Sequence, residues 1–190
     1  LVTGLTGFTG RYLEAELVAH GFEVWGTGTT AQPGRERYLP LDICDPRAVE
    51  ACIDAVRPRH VAHLAGIAFV GHGDASAIYH TNLLGTRNLL SALATCDVQP
   101  ASVLLASSAN VYGNATSGVL NERAPLQPEN DYAVSKLAME HMARLWMDRL
   151  PIVIARPFNY TGVGQSERFL LPKIVAHYRR RAASIELGNL

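Results

Sequence analysis

Six short apolar runs alternate along the chain with stretches that carry helical spacing. The runs are LVTG (1–4), FEVWGTG (22–28), RYLPLDI (37–43), HVAHLAG (60–66), SVLLASS (102–108) and PIVIARP (151–157). Between them, Thr9–His20 places Leu13 and Leu17 on one face before Gly21, and residues 45–58 open on Asp45-Pro46 and close at Pro58. Residues 74–96 carry Leu83, Leu90 and Leu93 at helical positions, and Asp131–Leu150 reads as a second long helix. Strands that are nearly continuous in Val, Ile, Leu and Ala are buried on both faces by helices. Alternation of such strands with helices predicts an α/β fold, a Rossmann-like doubly wound parallel sheet.

After Pro157 the pattern changes to a glycine-containing loop, FNYTGVGQSERF, and a helix, LLPKIVAHYRRR. The expected division is a dinucleotide-binding domain over residues 1–157 and the start of a substrate-binding region over 158–190. The chain begins at LVTG and stops at ELGNL without a cap, so a longer protein with a further C-terminal part is expected.

Composition narrows the function classes. Hydrophobic residues make up 48% of the chain, and 17 basic residues balance 17 acidic ones. That balance gives no field to attract nucleic acid or a membrane surface, and neither partner is expected. The basic run Arg179–Arg181 reads as a solvated helix end. Cys44, Cys52 and Cys96 have no CxxC spacing, which suits free thiols in a reducing cytoplasm. His60 and His63 lie in a strand-like run, and no metal site is expected.

TGLTGFTG sets Gly4, Gly7 and Gly10 three apart, after a strand and before a helix. Such a loop must turn sharply, let backbone approach a pyrophosphate, and let the helix pack on the sheet. A dinucleotide site is predicted there. The end of the second strand, GTGTT (26–30), lacks the acid that holds an adenosine ribose in NAD sites, and the nearest arginine is Arg35. Thr29 and Thr30 offer hydroxyls to a 2′-phosphate, so NADP(H) is favoured over NAD(H), with dual use open.

The ordered motifs TGxxGFxG, LDICD, HLAG, NLLGTRNLL, SSANVYG, YAVSK and RPFNYTGVGQ closely resemble those of the extended short-chain dehydrogenase/reductases that act on nucleotide sugars. The resemblance runs through essentially the whole chain. It implies that Gly7, Phe8 and Thr9 lie on the pyrophosphate, that Asp42 and Ile43 flank the adenine, and that Leu64, Ala65 and Gly66 pass under the riboses. It also places Asn82 near the active site, with Phe158 among the cofactor contacts. A helix-surface amide is the plain alternative for Asn82.

By the same resemblance the catalytic group is Ser108, Tyr132 and Lys136. The chemistry follows from the residue types. Hydride addition to a ketone builds negative charge on oxygen, so a proton donor must stand ready. A free tyrosine, with a pKa of about 10, donates reluctantly near neutrality. A lysine ammonium nearby favours the phenolate, and four residues along a helix puts both groups on one face. Lys136 is also expected to hold the nicotinamide ribose, and Ser108 to hydrogen-bond the reacting carbonyl. Ser107 is its neighbouring rival; the family pattern counted back from VYG selects Ser108.

Related 4,6-dehydratases carry Glu two places after the catalytic Ser or Thr. Here that place is Asn110, and an amide cannot take the proton whose removal starts dehydration. Ketone reduction or 4-epimerisation is therefore favoured. The later motifs look most like the members that reduce GDP-4-keto-6-deoxy-mannose. By that likeness Asn159 contacts the sugar nucleotide, Leu170 covers the base and Lys173 meets the guanine carbonyl, with helix surface as the alternative for Lys173. A nucleotide-sugar 4-epimerase, a 4,6-dehydratase and a non-catalytic NADP-sensing protein are the other readings. Family likeness also implies a homodimer through the two long helices, with Leu137, Met142 and Leu145 as candidate contacts.

Overall fold

A computed structural model describes residues 1–68, 73–114 and 118–187. The chain divides into two compact units, Leu1–Phe158 and Asn159–Leu190.

The first unit is built on one six-stranded sheet, all of whose pairings are parallel. The strands are β1 (Val2–Thr3), β2 (Gly26–Gly28), β3 (Tyr38–Pro40), β4 (His60–His63), β5 (Ser102–Ala106) and β6 (Ile152–Ala155). Their spatial order is β3-β2-β1-β4-β5-β6. The order reverses direction between β1 and β4, and sheets of this type bind ligands beyond the carboxyl ends of the strands at that point.

The connections are α1 (Phe8–Ala19), α2 (Pro46–Val56), α3 (Ala75–Tyr79), α4 (Thr86–Thr95) and α5 (Asp131–Arg144). Local chemistry sets their starts. Asp45 caps α2 by accepting from the backbone N–H of Arg47 and Ala48 at 3.0 and 3.2 Å, with Pro46 in the first turn. Asn130 caps α5 by accepting from Ala133 N–H at 2.9 Å. Between α3 and α4 the chain keeps turning through a π-helical segment, His80–Gly85. The expected helix over 74–96 is thus continuous but locally widened, a feature that re-aims one side chain.

The core lies between the sheet and α2, α4 and α5. Ile53, Leu89, Leu90, Leu93, Leu105, Met139 and Leu150 are essentially inaccessible. Each fully buried side chain of this kind contributes about 1.5–3 kcal/mol from removal of apolar surface from water. A smaller cluster of Val2, Leu5 and Tyr38 packs with Leu13 and Leu17 of α1. Gly26 belongs to that cluster, because a Cβ there would stand 1.9 Å from the Leu5 Cδ2.

All six strands are shorter than their apolar runs and the second long helix is shorter than its pattern; three cases show why. FEVWGTG is strand only over Gly26–Gly28. Phe22 N–H instead returns to Leu17 O at 3.0 Å and closes α1, with Gly21 at φ 80°. RYLPLDI is strand only to Pro40, after which Asp42 folds back to accept from Cys44 N–H at 2.9 Å. Asp131–Leu150 is helical only to Arg144. Tight turns from Leu145 to Arg149 then drop Leu150 into the core, where it is 2% exposed, directly before β6.

The second unit contains α6 (Leu170–Arg179) after a loop. Arg180 pairs with Glu167 at 2.7 Å. The last three residues of ELGNL, 188–190, lie outside the described residues. Among the described residues no helix is long and apolar enough to cross a membrane.

Candidate active site

A cleft of about 430 Å³ opens at the reversal of strand order, a usual size for a ligand pocket. The glycine loop gives it Gly4, Thr6 and Gly7; the end of β2 gives Thr27, Gly28 and Thr29. Leu41, Asp42 and Ile43 follow β3, Leu64 to Ile67 follow β4, and Thr81 comes from the π segment. Of these, Thr6, Thr27, Gly28, Leu41, Ile67 and Thr81 were not singled out from sequence. Each lies within two residues of one that was, so neighbourhood along the chain was the available signal.

The loop needs its glycines. Gly4 sits at φ 71°, and a Cβ there would meet Ala65 N at 2.8 Å. A Cβ on Gly10 would lie 2.5 Å from the carbonyl oxygens of Gly4 and Leu5. Gly7 stands at the N-cap of α1 and makes no side-chain cap hydrogen bond, so no capping side chain covers the helix start beside the loop. That arrangement suits an anionic pyrophosphate. Asp42 is exposed while Ile43 is buried against Gly85 of the π segment. Thr30 does not line the cleft; its carbonyl accepts from Tyr38 OH at 3.0 Å.

Tyr132 and Lys136 stand one turn apart on α5, and each is 8% exposed. The Lys136 Nζ lies 6.0 Å from the Tyr132 ring centroid and donates to Ala106 O, at the carboxyl end of β5, at 2.8 Å. Burial lowers the Lys136 pKa to about 8. The same ammonium lies beside the cleft, since a Cβ on Gly66 would come within 3.4 Å of it and within 2.8 Å of Asn82 Oδ1.

Asn82 is not a surface amide; it is 1% exposed. Its Oδ1 accepts from Ile67 N–H at 2.8 Å, and its Nδ2 donates to Ile67 O at 3.1 Å and to Ser135 Oγ at 3.0 Å. Ser135 in turn donates to Tyr132 O at 2.7 Å. The widened turn thus ties the cleft floor to the helix that carries Tyr132.

The two serines after β5 have separate tasks. Ser107 donates to the Glu140 carboxylate at 2.5 Å. Ser108 has extended backbone and caps a short 3₁₀ turn, Ala109–Tyr112, accepting from Asn110 N–H at 3.2 Å. Glu140 also takes two bonds from Arg156, at 2.9 and 2.6 Å. Burial acts to raise its pKa, but the bonds from Arg156 and Ser107 prevail and hold it below the usual carboxylate range. Arg156 donates to Tyr112 OH at 2.9 Å, and the Tyr112 ring stacks on Phe158, which is 56% exposed, at 6.3 Å. This network was missed in the sequence. The signal existed: Glu140 follows Lys136 by one turn on the face that carries Tyr132, and a carboxylate on a buried face requires a partner.

His63 is buried and points away from His60, which bonds Ser102 at 2.8 Å. His63 Nδ1 lies 2.7 Å from Thr3 Oγ1, and Nε2 lies 2.9 Å from Thr86 Oγ1. Thr86 donates its proton to Asn82 O at 2.8 Å, and so accepts from Nε2–H. Nδ1 is then the acceptor, and the ring is neutral. Desolvation, with the Lys136 charge nearby, lowers its pKa to about 3. Among the described residues no three His, Cys, Asp or Glu side chains form a group that could hold a metal ion.

In the second unit, Asn159 is exposed in the loop and Leu170, 45% exposed, opens α6. Lys173 lies in the first turns of α6 and its Nζ donates to the Glu186 carbonyl. Asn110, half-buried beside Ser108, belongs to the first unit.

The model of the NAD dependent epimerase/dehydratase family matches residues 1–190. GDP-6-deoxy-D-talose 4-dehydrogenase of Aggregatibacter actinomycetemcomitans is 34% identical over 100% of this chain and 62% of its own length. GDP-6-deoxy-D-mannose reductase of Pseudomonas aeruginosa is 33% identical over 100% of this chain and 61% of its own. Among solved structures, a candidate epimerase from Burkholderia cenocepacia J2315 is 57% identical with a TM-score of 0.90, covering 100% of this chain and 63% of that one. The structure of RMD from Pseudomonas aeruginosa, complexed with NADPH, is 32% identical with a TM-score of 0.76, over 95% and 61%. The chain therefore spans about three fifths of the length of these relatives.

Proposed function

The chain belongs to the NAD dependent epimerase/dehydratase family, and we propose that it is an NAD(P)H-dependent reductase of a GDP-4-keto-6-deoxy-hexose. The reaction would take GDP-4-keto-6-deoxy-mannose to GDP-rhamnose. The observation that carries this reading is the Tyr132–Lys136 pair, tied to the end of β5 through Ala106 O. Tyr132 and the buried Lys136 share a helix face, while Asn110 stands where dehydration needs a carboxylate. The nearest buried carboxylate, Glu140, is already engaged by Ser107 and Arg156. The similarity to the talose dehydrogenase and the mannose reductase supports a 4-position oxidoreduction.

The start of α1 and the glycine loop would hold the pyrophosphate; Asp42 and Ile43 would take the adenine, and Leu64 to Gly66 the riboses. Asn82, Lys136 and Phe158 would border the nicotinamide half. NADPH is favoured over NADH because no acid ends β2. The cofactor supplies a hydride when bound. The chain's own residues supply the rest. Tyr132 gives its proton to the C4 oxygen as that oxygen gains charge, Ser108 hydrogen-bonds the same oxygen, and the Lys136 ammonium stabilises the phenolate left behind. Asn159, Leu170 and Lys173 would contact the GDP-sugar. A reducing cytoplasm suits the three free cysteines. A homodimer through residues 75–95 and α5 would suit Leu84 of the π segment, Val134 of α5 and Leu145 just after it, 44%, 38% and 78% exposed, better than Met142, which packs on the core.

Incubation of the protein with GDP-4-keto-6-deoxy-mannose and NADPH should oxidise the cofactor. Flat absorbance with both NADPH and NADH overturns the reading. A 4-epimerase is the second reading, favoured by the candidate epimerase at 57% identity. It would interconvert C4 epimers with no net cofactor consumption.

A further inference from the structure

The end of β2 has two properties that pull in opposite directions. Gly26–Thr30 carries no carboxylate to meet an adenosine ribose. A cation is also present nearby. Arg35 lies on the loop between β2 and β3, with its guanidinium 5.8 Å from the Tyr38 ring centroid. Tyr38 is fixed to the strand end, since its hydroxyl donates to Thr30 O at 3.0 Å and lies where a Cβ on Gly28 would meet it at 2.6 Å. Gly28 and Thr29 both line the cleft. An arginine at this place is the group that would receive a 2′-phosphate.

Arg35 is already engaged. The Glu14 carboxylate, reaching across from α1, pairs with the guanidinium. Both side chains are largely withdrawn from solvent, at 33% and 26% exposed. The next cation on the loop, Arg37, faces Glu23 at 3.4 Å. A 2′-phosphate approaching Arg35 must displace or share Glu14, and the two like charges repel. A 2′-hydroxyl carries no such charge and is indifferent to the pair.

We propose that Glu14 sets the cofactor selectivity of this chain: by pairing with Arg35 it masks a cation near the end of β2 that would otherwise favour a 2′-phosphate, so that NADH and NADPH are both accepted. This rests on the reading that the cleft binds a nicotinamide dinucleotide. It limits the NADPH preference that the missing acid alone would create.

The test is a fluorescence titration of NADH and NADPH against the protein and its Glu14→Gln, Arg35→Ala and Arg11→Ala variants. The parent should bind both cofactors within about tenfold of each other. Glu14→Gln should tighten NADPH about tenfold, the worth of one charge-assisted contact to phosphate, and leave NADH within about twofold. Its gain should shrink at high salt, because the pair is only partly buried. Arg35→Ala should weaken NADPH, by up to about tenfold, because it leaves the Glu14 carboxylate unneutralised near the phosphate, and it should spare NADH, whose unchanged binding certifies the fold. If both cofactors bind but Glu14→Gln shifts neither or both alike, the proposal is overturned alone. If Arg11→Ala, one turn earlier on α1, weakens NADPH while Arg35→Ala does not, the phosphate is read from the helix and the proposal is overturned too. If neither cofactor binds the parent, the functional reading fails and this inference fails with it.

Discussion

Arg156 and Glu140 meet through two parallel hydrogen bonds, Nε to Oε1 at 2.9 Å and Nη2 to Oε2 at 2.6 Å, in a pair where the Glu140 side chain is 1% exposed. The pair joins the end of β6 to the middle of α5, and Ser107, just after β5, completes it. Removing Arg156 would strand a buried carboxylate. Arg156→Met should therefore destabilise the fold by about 3–5 kcal/mol, whereas Glu140→Gln, which leaves a partly exposed guanidinium able to reach Tyr112, should cost less. Urea unfolding of both variants at neutral pH checks the order. Because the Glu140 pKa is depressed in the fold, its contribution is present above the unfolded value of about 4.3 and is lost as pH falls through the lower folded value.

The sheet and its cleft were legible because they depend on local patterns. Apolar runs at the right intervals gave all six strands, and GxxGxxG before a helix placed the loop. What was not legible depends on groups far apart in sequence. The clamp on Ser107 spans 33 residues to Glu140, and Asn82 reaches back 15 residues to Ile67. The lengths of β2 and α5 were overread because apolar residues such as Phe22 and Leu150 satisfy a periodic pattern while serving a turn or a core position outside the element. The π-helical widening at His80–Gly85 leaves no compositional mark, and it is what turns Asn82 inward.

His63 makes stability depend on pH. The folded ring resists protonation down to about pH 3, because burial strips its solvation and the Lys136 charge lies nearby. The unfolded chain takes that proton near pH 6.5. Below that value the unfolded state binds one more proton, so stability falls as pH falls, by about 2 kcal/mol between pH 7 and pH 5. Urea midpoints at the two pH values should show that loss in the parent. A His63→Asn variant, less stable throughout, should show much less of it; an equal loss in both would assign the pH dependence elsewhere.

Gly10→Ala tests the close packing of the loop. The added methyl would lie 2.5 Å from two backbone carbonyl oxygens, Gly4 O and Leu5 O, and backbone cannot swing aside as a flexible side chain can. The loop must open, and cofactor affinity should fall by at least about tenfold, an energy of about 1.4 kcal/mol. Gly21→Ala is the control. Its added Cβ meets nothing within 4 Å, although φ 80° strains it, so it should lower the melting temperature without changing cofactor affinity.

Tyr132→Phe and Lys136→Met separate the two halves of the proposed acid. The phenylalanine variant keeps the ring and the Lys136 bond to Ala106 O, so cofactor should bind nearly as before while turnover falls by about 10²–10⁴-fold, the usual worth of a positioned proton donor. The methionine variant removes the ammonium that borders both the cleft and Tyr132, so it should weaken cofactor binding and turnover together. Lys136 is held to a pKa of about 8 by burial, so its charge is present below that pH and is lost as pH rises through it. Steps that need the ammonium should therefore decline above about pH 8 in the parent, and that limb should be absent from the residual activity of Lys136→Met. Loss of cofactor binding in Tyr132→Phe, equal to its loss of turnover, would instead assign Tyr132 to holding the site together.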